Sequence, residues 1–369
     1  MVAARIDPSL PPMEALSVAE IPAGPEWQYE PKWDGFRCLA YREQDQVVLQ
    51  SKSGRPLARY FPEVVEDLAR LPAKRFVLDG ELVVPVGSAL SFEELQLRLH
   101  PAESRVRKLA AAHPAWYVVF DLLQTERGTV LLDAPLAERR RRLEAFAARC
   151  FPAAERIALS PATRAHGVAR RWFTDRHAGL DGVIAKRLDL AYQAGLRTGM
   201  QKIKHLRTAD CVVGGFRYAT AKRVVGSLLL GLYDQAGLLH HVGFTSALAR
   251  ESRPELTARL EKLRDRAGPR TPAGFSGGAP GGPSRWSTER TGEWEAVPPV
   301  LVVEVEYDHF SGGRFRHGTR LLRWRPDKGP SQCTFEQVRP AGSGALAMLD
   351  RRDRPEPGLS ARPGPGVPP

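Results

Sequence analysis

Residues 29–37, Tyr-Glu-Pro-Lys-Trp-Asp-Gly-Phe-Arg, set a potential nucleophile, Lys32, among the carboxylates of Glu30 and Asp34 and the cation of Arg37. A lysine amine has an ordinary pKa of about 10.4 and is a poor nucleophile while protonated. It reacts when burial or neighbouring cations favour its neutral form. Gly35 permits a tight turn or a close backbone approach to a ligand. The same Lys-x-Asp-Gly positions also describe a surface cation followed by a hairpin turn, and they do not separate the two readings by themselves.

Other charges interrupt strongly apolar stretches. Glu81 falls within Arg75–Val84, Asp121 within Trp116–Leu123, and Asp181 and Lys186 within Leu180–Arg187, with Lys202 and Lys204 just beyond. Solitary charges are costly in such surroundings, so these residues are expected to converge on one site with Lys32. Clustered lysines hold phosphates as point charges and lower one another's pKa. The carboxylates could bind Mg²⁺, which keeps several waters and bridges to substrate phosphates. Phe120, beside Asp121, offers a ring on which a base can stack. The sequence contains no Gly-x-x-x-x-Gly-Lys-Ser/Thr, so phosphates would be held by side chains on strands rather than by a P-loop.

The elements that must position these residues follow from periodicity. Residues 5–27 carry five prolines and read as an extended leader. Strands are expected at 38–41, 46–55 (ending in a Gly-Arg corner), 75–84 and 116–123; the acidic residues make 75–84 either one strand at a wet site or two strands and a turn. Helices are expected at 63–71, from a Ser91 capping box to Leu99, at 135–149 and at 168–177. The Arg139–Arg142 run on the third of these reads as a solvated face. Strands alternating with helices argue for an α+β domain of about 200 residues. Past Lys204, short strands at 211–218, 227–233, 238–244 and 300–307, with one helix near Pro254–Arg264, have the pattern of a small β-barrel. A Gly/Pro-rich loop covers 268–284, and 341–369 is too poor in apolar residues to fold, so a disordered tail is expected.

A length of 369 residues suits about two domains. Fifty-four Lys and Arg against 42 Asp and Glu give a net charge of +12, an excess that suits nucleic acid as partner. Cys38, Cys150, Cys211 and Cys333 form no Cys-x-x-Cys pair and imply neither a zinc ribbon nor a disulfide framework. A reducing cytoplasm fits. No apolar signal core or spanning run is present, so no membrane partner is expected.

Taken in order, these residues resemble the nucleotidyltransferase motifs of ATP-dependent DNA ligases. Lys32-Trp-Asp-Gly35 matches motif I, Ser51-Lys-Ser-Gly54 with Arg55 resembles motif Ia, and Asp79-Gly-Glu81 matches motif III. Val119-Phe-Asp121 resembles motif IIIa, Asp181-Gly-Val-Ile-Ala-Lys186 motif IV, Gln201-Lys-Ile-Lys204 motif V and Arg323-Trp-Arg-Pro-Asp-Lys328 motif VI. The match covers about residues 12–340. Its details are similar to the small bacterial ligases of the LigC group and to the ligase domain of LigD.

The resemblance implies an α+β fold: an ATP-grasp-like nucleotidyltransferase domain of antiparallel sheets with helices at 1–205, an OB-fold barrel at 206–340 and the tail at 341–369. It implies ATP and Mg²⁺ or Mn²⁺ as cofactors and nicked double-stranded DNA as substrate. A repair polymerase or end-binding protein as partner, a monomeric state and a nucleoid-associated cytoplasmic location go with it. Lys32 would take AMP from ATP, pass it to the 5′-phosphate of a nick, and the 3′-hydroxyl would displace it. Asp34 belongs to the same motif. Glu30 would recognise adenine, Glu81 the ribose, and Phe120 would stack on the base; Lys186 also binds the nucleotide. Arg37 and Arg55 would contact phosphates, Lys202 and Lys204 the charge on the α-phosphate, and Asp181 and Glu81 the metal. Arg325, Asp327 and Lys328 would orient pyrophosphate when the barrel swings about a hinge near Leu206.

Two positions depart from the family. Asp181 stands where Glu is usual, one methylene shorter, which leaves direct metal coordination or a bridging water open. Lys52 stands where Arg is common, losing bidentate phosphate geometry. An RNA ligase or a capping guanylyltransferase would share the strand motifs, and a non-catalytic basic DNA-binding protein would share only the charge.

Overall fold

Strands buried along both faces have to be covered on both, and the first two hundred residues meet that need with two sheets and a helical layer. The computed structural model describes residues 6–174, 180–220, 222–248, 252–266, 274–280, 293–339 and 344–349. The chain divides into two compact units, residues 1–203 with 341–369, and residues 204–340.

In the first unit, β2 (Trp27–Trp33) lies in a sheet of order β1-β11-β10-β2, with β1 (Leu16–Ser17), β10 (Leu180–Arg187) and β11 (Met200–Lys204). At Asp34-Gly35 the chain crosses into a second sheet of order β4-β3-β5-β8-β9. Its strands are β3 (Phe36–Glu43), β4 (Gln46–Ser51), β5 (Arg75–Val83), β8 (Trp116–Gln124) and β9 (Ile157–Leu159). One face of this sheet, through Cys38, Ala40, Leu78, Tyr117 and Val119, packs on Val64 and Leu68 of α1 (Pro62–Arg70) and on Leu143 and Phe146 of α4 (Leu136–Cys150). A hairpin of β6 (Pro85–Val86) and β7 (Ala89–Leu90) precedes α2 (Phe92–Leu97). The Ser91 hydroxyl caps α2 by accepting the Glu94 N–H at 3.2 Å. Helix α3 (Glu103–Ala112) follows, and α5 (His166–Thr174) sets Ala169 among Tyr29, Val183 and Ile203.

One open expectation is settled here and two change. Residues 75–83 form one uninterrupted strand, so Asp79 and Glu81 share a face of β5. The arginine run on α4 is only partly solvated. Arg139 is 1% exposed and Arg140 7%, because Arg139 forks onto Asp121 at 2.9 and 3.0 Å and Arg140 donates to the Ser160 carbonyl. The expected disordered tail contains an ordered turn: Ala345–Leu349 is a 3-10 helix. Its apolar residues pack on Trp33, Val83, Leu90, Val118, Ala158 and Leu180. Gly344 opens it so close to the Ser88 carbonyl that a Cβ there would overlap the oxygen.

The second unit is a closed barrel of order β12-β13-β14-β18-β15. Its strands are β12 (Arg207–Ala219), β13 (Lys222–Tyr233), β14 (Leu239–Ala247), β15 (Glu295–Tyr307) and β18 (Thr319–Trp324). Helix α6 (Arg253–Asp265) joins β14 to β15, and a small hairpin of β16 (Phe310–Ser311) and β17 (Arg314–Phe315) precedes β18. This is the five-stranded arrangement of an OB-fold. Within the Gly/Pro-rich loop, residues 274–280 are pinned by hydrogen bonds from His241 N–H to the Gly278 carbonyl and from Gly277 N–H to the Leu239 carbonyl; the rest of that loop lies outside the described residues. Among the described residues no helix is long and apolar enough to cross a membrane.

The C-terminal turn gives a direct test of packing. Leu349 is 6% exposed, and its truncation to Ala is expected to cost about 2 kcal/mol, lowering the melting temperature of the first unit by about 4–8 °C. Calorimetry of Leu349→Ala checks this, and an unchanged melting curve would remove the turn from the fold.

Candidate active site

Lys32 is the second-last residue of β2, and the crossing at Asp34-Gly35 is what brings both sheets to it. A Cβ on Gly35 would lie 2.1 Å from the Leu82 carbonyl and one on Gly80 2.6 Å from the Val118 carbonyl and the Tyr117 ring, so neither strand pair closes with a larger residue. A cavity of about 150 Å³ lies between the sheets. The first sheet contributes Glu30, Lys32, Ile184, Lys186 and Lys202, and the second contributes Arg37, Glu81 and Phe120. The leader closes one side with Pro12–Ala15, where Glu14 pairs with Lys52 at 3.0 Å and with Arg197 at 2.9 Å.

Two β-bulges aim side chains that a regular ladder would misdirect. In the β2–β10 ladder, Leu180 pairs with Trp33 and Gly182 with Lys32, leaving Asp181 as the extra residue; Gly182 takes φ +137° to allow it. Asp181, 2% exposed, forms an ion pair with Lys32. In the β5–β8 ladder, Asp79 pairs with Asp121 and Gly80 with Val119, leaving Phe120 as the extra residue.

Charge is dense and paired. Glu30, 2% exposed, accepts from Lys186 Nζ at 2.7 Å and from Gln28 Nε2 at 2.9 Å. Lys186 Nζ lies 4.4 Å from the centre of the Phe120 ring, and the Arg37 guanidinium carbon 4.5 Å. Arg37 and Glu81 are cross-strand partners, and Arg37 forks onto Asp79 with two bonds of 2.6 Å. Burial pulls the Lys32 pKa down, but Asp181, Glu81 and Asp34 outweigh it and hold the amine above its ordinary value. The expectation of a lysine depressed by neighbouring lysines is therefore corrected, because carboxylates, not cations, are its nearest charges. Burial pushes the Glu81 carboxyl up to about 7 against the opposing pull of Arg37 and Lys32.

Not every expected residue reaches the cavity. Asp121 points away and is held by Arg139, so it leaves the cluster. Arg55 is exposed, with its backbone N–H bonded to the Ser51 hydroxyl at 3.0 Å. Lys204 belongs to the second unit, where it pairs with Asp308 at 3.1 Å. Also in that unit, Arg325 pairs with Asp327 and Asp210, and Lys328 with Asp210 at 2.7 Å. Asp79, Gln28, Ile184 and Tyr192 were not assigned roles from sequence. Among the described residues no three His, Cys, Asp or Glu side chains are grouped to hold a metal ion.

Residues 12–204 match the family described as ATP dependent DNA ligase domain, and residues 221–328 the ATP dependent DNA ligase C terminal region. This chain belongs to the ATP-dependent DNA ligases. It is 44% identical to DNA ligase C2 of Mycolicibacterium smegmatis, over 90% of this chain and 94% of that protein. It is 43% identical to DNA ligase C of Mycobacterium tuberculosis over the same shares. The multifunctional non-homologous end joining DNA repair protein LigD of Mycobacterium tuberculosis is 32% identical over 89% of this chain and 40% of its own length. Among solved structures, Pmar-Lig_PreS3 has a TM-score of 0.54 at 16% identity, covering 81% of this chain and 63% of its own, and shares the fold. So does a Lig E DNA ligase with a TM-score of 0.50 at 17% identity, covering 85% of this chain and 99% of its own. In this ligase the α+β domain and the barrel expected from sequence are both present.

The Asp181 pairing makes the ligase's resting amine testable. In Asp181→Asn, Lys32 loses its main counter-charge while its burial remains, so the amine titrates lower. Cyanate at mildly alkaline pH is expected to carbamylate Lys32 faster in the variant than in wild type, read by mass spectrometry; an equal or slower rate would refute the pairing. Glu81 is testable through stability. Between its ordinary 4.5 and about 7 the folded protein holds a proton that the unfolded chain has released, so stability falls as pH rises through that window. Glu81→Gln is expected to flatten that slope in denaturant titrations, and an unchanged slope would assign it to another group.

Proposed function

We propose that this ATP-dependent ligase seals nicks in duplex DNA through a lysyl-adenylate on Lys32 and an adenylate on the nick, in the service of DNA repair. The observation that carries the reading is Lys32 itself. It is a paired, half-buried amine lining a cavity whose other walls offer a ring, three carboxylates and several cations.

The reaction begins with Lys32 Nζ displacing pyrophosphate from the α-phosphorus of ATP. The amine must first shed its proton, and Asp181 is the carboxylate in contact with it. The adenine enters between Phe120 and Ile184, which line the cavity from different sheets. Glu30 recognises its amino group. A carboxylate has about four lone-pair sites, so the bonds from Lys186 and Gln28 orient Glu30 without exhausting it. Glu81 takes the ribose hydroxyls. Arg37 meets phosphate oxygens inside the cavity and Arg55, on the surface, those of the nick. Lys202, on the cavity wall, stabilises charge developing on the α-phosphate, where preorganised cations contribute most; Lys204 would join it only on leaving Asp308. Asp34 adds negative potential beside Lys32.

Asp181 and Glu81 are hard oxygen donors near Lys32, and Glu81 is a buried carboxyl whose burial raises its pKa against the pull of Arg37 and Lys32. They fit Mg²⁺ or Mn²⁺, which needs only one or two carboxylates besides phosphates and waters. Such an ion would supply positive charge that neutralises Asp181 and so weakens its hold on the lysine proton. Arg325, Asp327 and Lys328 orient pyrophosphate for the first step alone. That role requires the barrel to move about the segment at Leu206, which is 57% exposed.

Incubation with α-labelled ATP and Mg²⁺ tests the reading. Wild type is expected to retain label after denaturation and to seal nicked DNA, and Lys32→Ala to do neither. Sealing by Lys32→Ala with ATP would sink it.

A further inference from the structure

Behind the cavity, one hydroxyl joins three stretches that are remote in sequence. Asp79 is fully buried. Its Oδ1 accepts from Arg37 Nε at 2.6 Å, and its Oδ2 accepts both from Arg37 Nη2 at 2.6 Å and from the Tyr192 hydroxyl at 2.7 Å. That hydroxyl accepts in turn from the Met13 N–H at 3.0 Å. Tyr192 lies in the connection between β10 and β11, outside every motif. Its ring is 6% exposed and sits among Met13, Leu39 and Met200, with the Arg139 guanidinium 5.5 Å from its centre.

The ring alone would fill that apolar site as phenylalanine does. The hydroxyl needs another account, because a buried hydroxyl costs stability unless it is bonded, and this one both donates and accepts. Its donation fixes the Asp79 carboxylate. A bidentate carboxylate sets the depth and the plane of the guanidinium it holds. Arg37 in turn stands over Phe120 and beside Glu81, at the wall where phosphates would enter.

We propose that Tyr192 is a positioning residue for the ligation chemistry: by bonding Asp79 it holds the Arg37 guanidinium in the plane that meets phosphate oxygens. This rests on the reading of Arg37 as a phosphate-binding residue. Tyr192 touches no substrate; it acts through Asp79 and Arg37.

A double-mutant cycle on the full chain separates this role from simple packing. Single-turnover labelling by ATP and sealing of a pre-adenylated nick are measured for wild type, Tyr192→Phe, Arg37→Ala and the double variant, with melting temperatures alongside. Tyr192→Phe is expected to slow the same step that Arg37→Ala slows, by about 10- to 100-fold. In the Arg37→Ala background it should add little, because the two act as one unit. Additive losses, or a lowered melting temperature with an unchanged rate, would overturn the role of Tyr192 alone. Wild-type rates of both steps in Arg37→Ala would overturn the reading of Arg37 and the proposal with it. If Tyr192→Phe does not fold, the cycle is run with Tyr192→His, whose ring N–H can reach toward the same carboxylate less well; the same non-additivity supports the proposal and additivity overturns it.

Discussion

The ion pair between Lys32 and Asp181 is the interaction on which the site depends. A protonated lysine in a half-buried position is tolerable because a buried carboxylate touches it, and the buried carboxylate is tolerable for the reciprocal reason. Neither could be placed there alone. In the proposed mechanism the same pairing keeps the resting amine protonated, since the proton that Asp181 holds in place is the one that must leave before the amine can attack. Activation is therefore tied to whatever changes the charge around Asp181. In the proposed mechanism the nucleotide and its cation bring that change, so the amine becomes a nucleophile only when its target phosphorus is present.

Backbone geometry makes the pair possible. A regular antiparallel ladder alternates its side chains, and Lys32 would then face whatever residue lay opposite in register. The bulge at Asp181, eased by the positive φ of Gly182, inserts the carboxylate beside the lysine. A second bulge turns Phe120 into the cavity while Asp121, its neighbour, goes to Arg139. Gly35 and Gly80 do complementary work by letting β5 approach the crossing and β8 closely enough for Glu81 and Arg37 to face Lys32. The shorter side chain at 181 thus sits where the backbone has already been brought forward.

How much of this was legible in the sequence follows from those devices. Lys32, Glu81, Phe120 and Lys186 could be assembled because each is a charge or ring in or beside an apolar run, and such residues need a shared destination; Glu30 came only from the resemblance. Asp121 satisfied the same rule and was misplaced, since a bulge shifts the facing of adjacent residues and leaves no compositional mark. Arg139 read as solvated because its partner is 18 residues away on another element. Asp79 was seen as a charge within its strand but given no role, and Tyr192 was overlooked because a tyrosine among apolar residues reads as core and only its hydroxyl partners distinguish it. The C-terminal turn was lost to averaging, because Gly344-Ala-Leu-Ala-Met-Leu349 is a short apolar segment inside a long stretch dominated by Gly, Pro and Arg.

That turn also bears on the ion pair. Its apolar residues pack on Trp33 and Leu180, the chain neighbours of Lys32 and Asp181, so a short segment far along the sequence buttresses the ends of both strands that carry the pair. A bulge is less regular than the ladder around it, and the apolar side chains behind it are what keep Asp181 from relaxing away from the lysine.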